Sequence, residues 1–335
     1  MLGIEKDPVF QFIPVNDDAT AQLLLKPLPP ELFYALYQQG WRVDQLFRLM
    51  VDRIEYLDPI TKNWEVIRNV PTADNAFDFT RFLRISALAY ELQSRGYLLL
   101  RPHKEFTPLA QGVPFSSPPN ATELLAAQAK NLVYVKGKDG WELGQDNLTA
   151  QFVLNGVKAA SPPAQILQDM PELNRGGVAG VTALQAMLII LDKGFTIEST
   201  VDSAAAETPE NAVSAHLVMR SMIGVLTAAA QEQEGFDDLL SKNPPVDPEK
   251  NVFKSLVPPV EQRALLRLNW GPDENVLDPL VDLTYGTKEF KITDMSDPKT
   301  PEETSWNRDL FRLISEISAQ VTVDISKFPL PLLLQ

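Results

Sequence analysis

Leu28-Pro-Pro-Glu-Leu-Phe-Tyr-Ala-Leu-Tyr-Gln-Gln-Gly40-Trp-Arg-Val-Asp-Gln-Leu-Phe-Arg-Leu-Met-Val-Asp-Arg-Ile54 reads as two helices divided by a glycine. Pro29 and Pro30 stand where a helix begins, because proline tolerates the first turn and its fixed φ suits it. The spacing predicts a first helix over 31–39 that closes at Gly40, since glycine accepts the left-handed conformation just past a helix end. The next helix carries Val43, Leu46, Met50 and Ile54 on one side, with Asp44/Arg48 and Arg48/Asp52 as i,i+4 pairs on another. That pattern predicts an amphipathic helix packed on a core.

Working outward, a strand is expected over 9–15, then a helical turn over 19–25 that Pro27 stops. On the other side, Phe82, Ile85, Ala89 and Leu92 make one stripe of a helix over 76–94, ended by Arg95-Gly96, and residues 97–100 read as a buried strand. These elements predict an N-terminal unit over 1–101. Residues 102–120 carry prolines at 102, 108, 114, 118 and 119, a composition that disfavours ladders and helices, so a linker or long loop is expected there. Residues 121–335 then form a second domain.

Within that domain the pattern predicts a short helix over 122–130, a hairpin of 132–135 with 141–143, and a short strand over 151–154. An apolar helix over 181–191 and a longer one over 211–233 follow, with an irregular loop over 241–250. A weakly alternating strand over 263–269 precedes a hairpin of 280–285 with 289–293, where Leu283/Tyr285 and Phe290/Ile292 alternate with polar neighbours. Thr300 and Glu303 make a capping box with Pro301 at the first helical position. The helix they open presents Trp306, Leu310, Leu313 and Ile317 to the hairpin around Gly286, and a strand is expected over 321–325. The fold class is therefore α+β: a helix-rich N-terminal unit, and a second α+β domain of short antiparallel hairpins packed by helices.

The chain of 335 residues has 44 acidic against 30 basic side chains, a formal net charge of −14. Residues 201–240 contain seven acids and one base, Arg220. Nucleic-acid binding needs a basic face to displace counterions, so DNA and RNA are not expected partners, nor are anionic lipid surfaces. The absence of cysteine removes disulfides, thiolate metal sites and cysteine nucleophiles, and fits either side of the cytoplasmic membrane. Residues 1–10, MLGIEKDPVF, lack a basic segment leading into an apolar run, so no signal peptide is expected. The most apolar stretches, 181–191 and 221–230, fall short of the roughly 20 residues a spanning helix needs.

No residue pattern assigns a catalytic, cofactor-binding or metal-ligating role, and no cofactor is expected. His103 and His216 are too few for a histidine metal site, and neither has a justified triad partner. Arg175-Gly-Gly-Val-Ala-Gly180 opens an apolar helix and reads as a tight entry loop rather than an anion cradle, matching neither phosphate-binding glycine motif. The acid pairs Asp17-Asp18, Asp237-Asp238 and Glu302-Glu303 read as solvated side chains or dipole partners at helix starts. Asn120-Ala-Thr122 and Asn147-Leu-Thr149 match the glycosylation triplet, which arises by chance in a chain this long. Trp41, Trp64, Trp141, Trp270 and Trp306 read as sealing core edges, with a binding groove as the other reading.

Three stretches resemble a group of uncharacterised bacterial cell-envelope proteins described as lipoproteins. They are the segment from Leu28 to Ile54 quoted above, residues 82–100 with the ending Glu91-Leu-Gln-Ser-Arg-Gly96, and Ser305-Trp-Asn-Arg-Asp-Leu-Phe-Arg-Leu313. These are packing and capping motifs and bring no site residues with them. The resemblance implies an envelope location, on the periplasmic face, with an acylated cysteine upstream of this sequence. No lipobox is present here.

Two functions follow as expectations. The first is a non-enzymatic envelope component that binds another protein or helps assemble a complex. The alternative is a hydrolase or carbohydrate-active enzyme working through a pair of carboxylates, which needs no short motif.

Overall fold

The computed structural model describes residues 24–57, 63–109, 117–130, 132–137, 139–154, 195–198, 215–242, 261, 263–270, 281–285, 288–292 and 306–322. The expected elements over 9–15 and 181–191, the glycine run 175–180, residues 243–250 of the loop expected over 241–250 and the capping box 300–303 lie outside these residues, while residues 241 and 242 of that loop are helical. The α+β class stands, with helices layered on a mixed sheet.

Helix α1, Pro30–Gln38, and helix α2, Val43–Met50, occupy the opening segment. Between them Gly40 takes φ +90°, its N–H donates to Tyr37 O at 3.0 Å, and the Trp41 N–H donates to Leu36 O at 3.2 Å. This paired 5→2 and 6→1 closure satisfies the last carbonyls of α1. After α2 the chain turns at once into strand β1, Val51–Leu57, and then strand β2, Trp64–Arg68. Helix α3, Ala76–Ser94, ends at Gly96 with φ +72° and the same closure, and leads into strand β3, Leu98–Pro108.

Helix α4, Ala121–Gln128, starts at Asn120, whose side chain and that of Glu123 each accept from the other's backbone N–H. Strand β4, Val133–Lys136, forms the expected hairpin with strand β5, but β5 runs as one strand over Trp141–Leu154. The expected short strand over 151–154 is its far end. Strand β6, Phe195–Glu198, and strand β7, Ala215–Met219, precede helix α5, Met222–Lys242. The helix expected over 211–233 is thus a strand followed by a helix. An apolar run without clear alternation leaves that choice open locally, and pairing of β7 between β1 and β6 decides it.

Strands β8, Leu268–Trp270, β9, Val281–Tyr285, and β10, Lys288–Ile292, make a small antiparallel sheet that includes the predicted hairpin. Helix α6 spans Trp306–Thr322, so Val321 continues the helical stripe, buried four residues after Ile317, rather than opening a strand.

The main sheet has the order β2-β1-β7-β6-β5-β3, with β4 also on β5, and is antiparallel except for β6 and β7. It unites residues from both sides of the expected linker. Residues 102–108, placed in that linker by their prolines, pair residue for residue with 144–150. The physical reason is position: among the described residues β3 ends the sheet, and an edge strand tolerates a missing N–H. One core cluster likewise joins α1, α2 and α3 to Phe152 of β5, to Ala215 and Leu217 of β7, and to α5 and α6. Helix α2 lies at the centre of these layers, and all eight of its residues are buried.

Candidate functional site

The sequence places Asp44, Gln45 and Arg48 on one polar face of α2, opposite Val43, Leu46 and Met50, and the fold covers that face as well as the apolar one. The fold therefore buries both charges, and the expected i,i+4 surface pairs are not the ones formed. Arg48 is 0% exposed and donates from Nη2 to Glu232 of α5 and to the Arg263 carbonyl at 2.7 Å, and from Nη1 to Glu261 Oε2 at 3.1 Å. Asp44, equally buried, accepts from Arg42 Nε at 3.1 Å and Nη2 at 2.6 Å. Arg42 lies over the Tyr90 ring at 3.9 Å, and the Arg263 guanidinium lies over Trp306 at the same distance.

Arg42, Arg48 and Arg263 thus face Asp44, Glu232 and Glu261, three charges of each sign. Burial opposes the charge on Arg48, but Glu232 and Glu261 outweigh it and hold its pKa above the ordinary arginine value. Burial dominates at Glu261, whose carboxyl is pushed up to about 7 in spite of Arg48. It also lowers Arg263 to about 10. Among the described residues Glu261 Oε1 and the three guanidinium nitrogens of Arg263 have no hydrogen-bond partner.

Both ends of α2 are held by side chains from distant elements. Gln93 Oε1 accepts from the Val43 N–H at 2.8 Å, while Gln93 Nε2 donates to the Trp41 carbonyl at 2.9 Å. At the other end Arg220 donates to the carbonyls of Arg48, Leu49 and Asn69 at 2.8, 3.2 and 2.6 Å, and Asn69 Nδ2 donates to those of Arg48 and Val51. A cation and an amide here satisfy the orphan carbonyls and complement the negative end of the helix dipole. Arg220, the single base of an acidic stretch, is therefore a fold residue.

A cleft of about 360 Å³ adjoins the cluster, between the α1–α2 turn and α6, and is lined by Trp41, Arg42, Gln45, Asp309, Arg312 and Glu316 among others. Gln45 is 1% exposed and its Nε2 has no hydrogen-bond partner among the described residues.

The exposed aromatic surface lies elsewhere. Along β2, Trp64, Val66 and Arg68 are exposed while Ile67 is buried, so the strand alternates between core and solvent. Trp64 is 51% exposed and stacks on His216 of β7, ring centroids 5.6 Å apart and 18° between planes. Phe77, 50% exposed at the start of α3, lies under the Arg81 guanidinium, which also pairs with Glu65 of β2 at 3.5 Å.

His216 therefore sits on a strand against an indole, and His103 falls on β3 opposite Thr149. Asp237 and Asp238 pair at the surface with Arg267 and Lys242. Asn120 is occupied as a helix cap, and Asn147 lies on β5 opposite Glu105. Of the tryptophans, Trp306 is buried at 1% exposure and its Nε1 donates to the Leu265 carbonyl at 2.9 Å. Among the described residues no three or more His, Asp or Glu groups converge as a metal site requires, and no helix is long and apolar enough to cross a membrane. The role of Arg48 and the partnership of Glu232 with Glu261 were not legible in the sequence, apart from an arginine standing in an otherwise apolar run.

Comparison of the chain with protein-family models, with curated proteins and with solved structures finds no match in any of the three.

Proposed function

We propose that this protein is a non-enzymatic binding component that docks another polypeptide along β2 and the sheet face beside it. The observation that carries the reading is the row Trp64, Val66 and Arg68, solvent-exposed on a strand that ends the sheet among the described residues. Exposed edges pair readily with another chain, and tryptophan and arginine are the residue types that anchor protein interfaces. An envelope location and an assembly role there rest on the resemblance of the three stretches named above.

The rival reading, hydrolysis by two carboxylates, needs both acids open to substrate. Glu232 and Glu261, which both bind the buried Arg48, are 2% and 0% exposed. Their arrangement favours a structural ion cluster.

The test is affinity isolation from the source cells with wild-type protein and with Trp64→Ala. A partner protein held by the wild type and lost by a folded Trp64→Ala variant is the expected result. Identical captures by both proteins would remove β2 as the binding element.

A further inference from the structure

We infer that β2 pairs with itself: two copies of this chain join β2 to β2, antiparallel, about a two-fold axis through Val66. This rests on the binding reading above and names the partner as a second copy.

The backbone sets the first condition. The Asn69 N–H donates to the Asp52 carbonyl at 3.0 Å, and this pair continues the β1–β2 register of Arg53 with Arg68 and Ile54 with Ile67. Antiparallel ladders alternate bonded and non-bonded pairs. Ile54–Ile67 and Tyr56–Glu65 are then the bonded pairs, and the N–H and C=O groups of Trp64, Val66 and Arg68 point away from β1. Among the described residues β2 pairs with β1 alone. Among the described residues Arg68 O receives only Asn75 Nδ2, at a long 3.4 Å.

The side chains set the second condition. In the register centred on Val66, each outward-pointing residue meets an outward-pointing residue: Val66 meets the partner's Val66, and Trp64 meets the partner's Arg68 on both sides of the axis. Each guanidinium then lies against an indole, a favourable cation–π pair, around a central apolar contact. Centring the axis on residue 64 or 68 instead sets Trp64 on the partner's Trp64 or Arg68 on the partner's Arg68, and leaves fewer residues paired. The self-complementary order Trp-x-Val-x-Arg thus selects one register, as an isologous contact requires.

Sedimentation velocity of the full chain tests this directly, with a reversible monomer–dimer equilibrium expected at about 100 μM, the dimer fraction rising with concentration by mass action. Val66→Lys, which sets like charges on the axis, and Val66→Pro, which removes only an outward N–H, should both sediment as folded monomers. The absence of native cysteine gives a register test. Val66→Cys should form a disulfide dimer under mild oxidation, because bonded antiparallel partners lie about 5.5 Å apart at Cα. Arg68→Cys should not, since it lies about 13 Å from its own copy across the axis. A wild-type monomer at that concentration, dimers unaffected by both Val66 variants, or equal cross-linking by Arg68→Cys would each overturn the proposal. If the chain is monomeric but Trp64→Ala still loses a captured partner, self-pairing fails while the binding reading stands.

Discussion

Arg48 shows how one side chain can tie a fold together and be costly to lose. It reaches Glu232, Glu261 and the Arg263 carbonyl, so α2, α5 and residues 261–263 meet at one guanidinium. A buried ion cluster adds little net stability over an apolar replacement, but removing one member leaves the others uncompensated. Arg48→Met should therefore lower unfolding stability by about 3–5 kcal/mol, read by urea denaturation; an unchanged midpoint would show that the cluster is not formed. Glu261 adds a pH dependence. Its folded pKa of about 7 exceeds its ordinary value of 4.5, so the folded state holds the proton more tightly. The stabilisation is complete below about pH 4.5 and is lost as the pH rises through about 7. Glu261→Gln, which cannot ionise, should flatten the fall in stability between pH 4.5 and 7. A variant with the wild-type slope would assign that slope to other groups.

Elements pack here through close approaches that their own sequences only partly announce. The glycines after α1 and α3 are readable as helix ends, because both take positive φ and both close the same pattern of carbonyls. Gly235, in the middle of α5, serves packing instead: a Cβ there would stand 2.2 Å from the Pro71 carbonyl. Gly235→Ala should force α5 away from that segment and cost about 1–3 kcal/mol, although alanine is the better helix former. A rise in melting temperature would mean that the two backbones separate freely. The stripe of α6 is buried as its spacing predicts, with Leu310, Leu313 and Ile317 at 0% exposure. Its helix packs against α5 within the main core, whereas the sequence pointed to the hairpin now seen as β9 and β10. Leu313→Ala should cost about 2–5 kcal/mol in chemical denaturation, and an unchanged midpoint would contradict that burial.

At the scale of the whole molecule, one sheet and one principal core span the segment expected to divide the chain. Phe152, fully buried on β5, meets Phe33, Tyr37 and Phe47 edge-on at 5.7–5.9 Å. Phe152→Ala should therefore destabilise α1 and α2 together with the sheet, by about 3–5 kcal/mol. Far-UV circular dichroism and tryptophan fluorescence should still give coincident transitions; two separated transitions would restore the division near residues 102–120. What the sequence determined alone was local: helix periods, glycine ends, the two hairpins and the α+β class, because each depends on contacts between near neighbours. Tertiary structure decided that β7 is a strand, that prolines fit an edge, and that Arg48 is sealed among acids instead of lying at the surface. Those outcomes depend on partners well beyond near neighbours in sequence, most of all for Arg48 and Glu232 at a separation of 184. A periodic pattern shows which residues share a face, and only the assembled layers determine what that face meets.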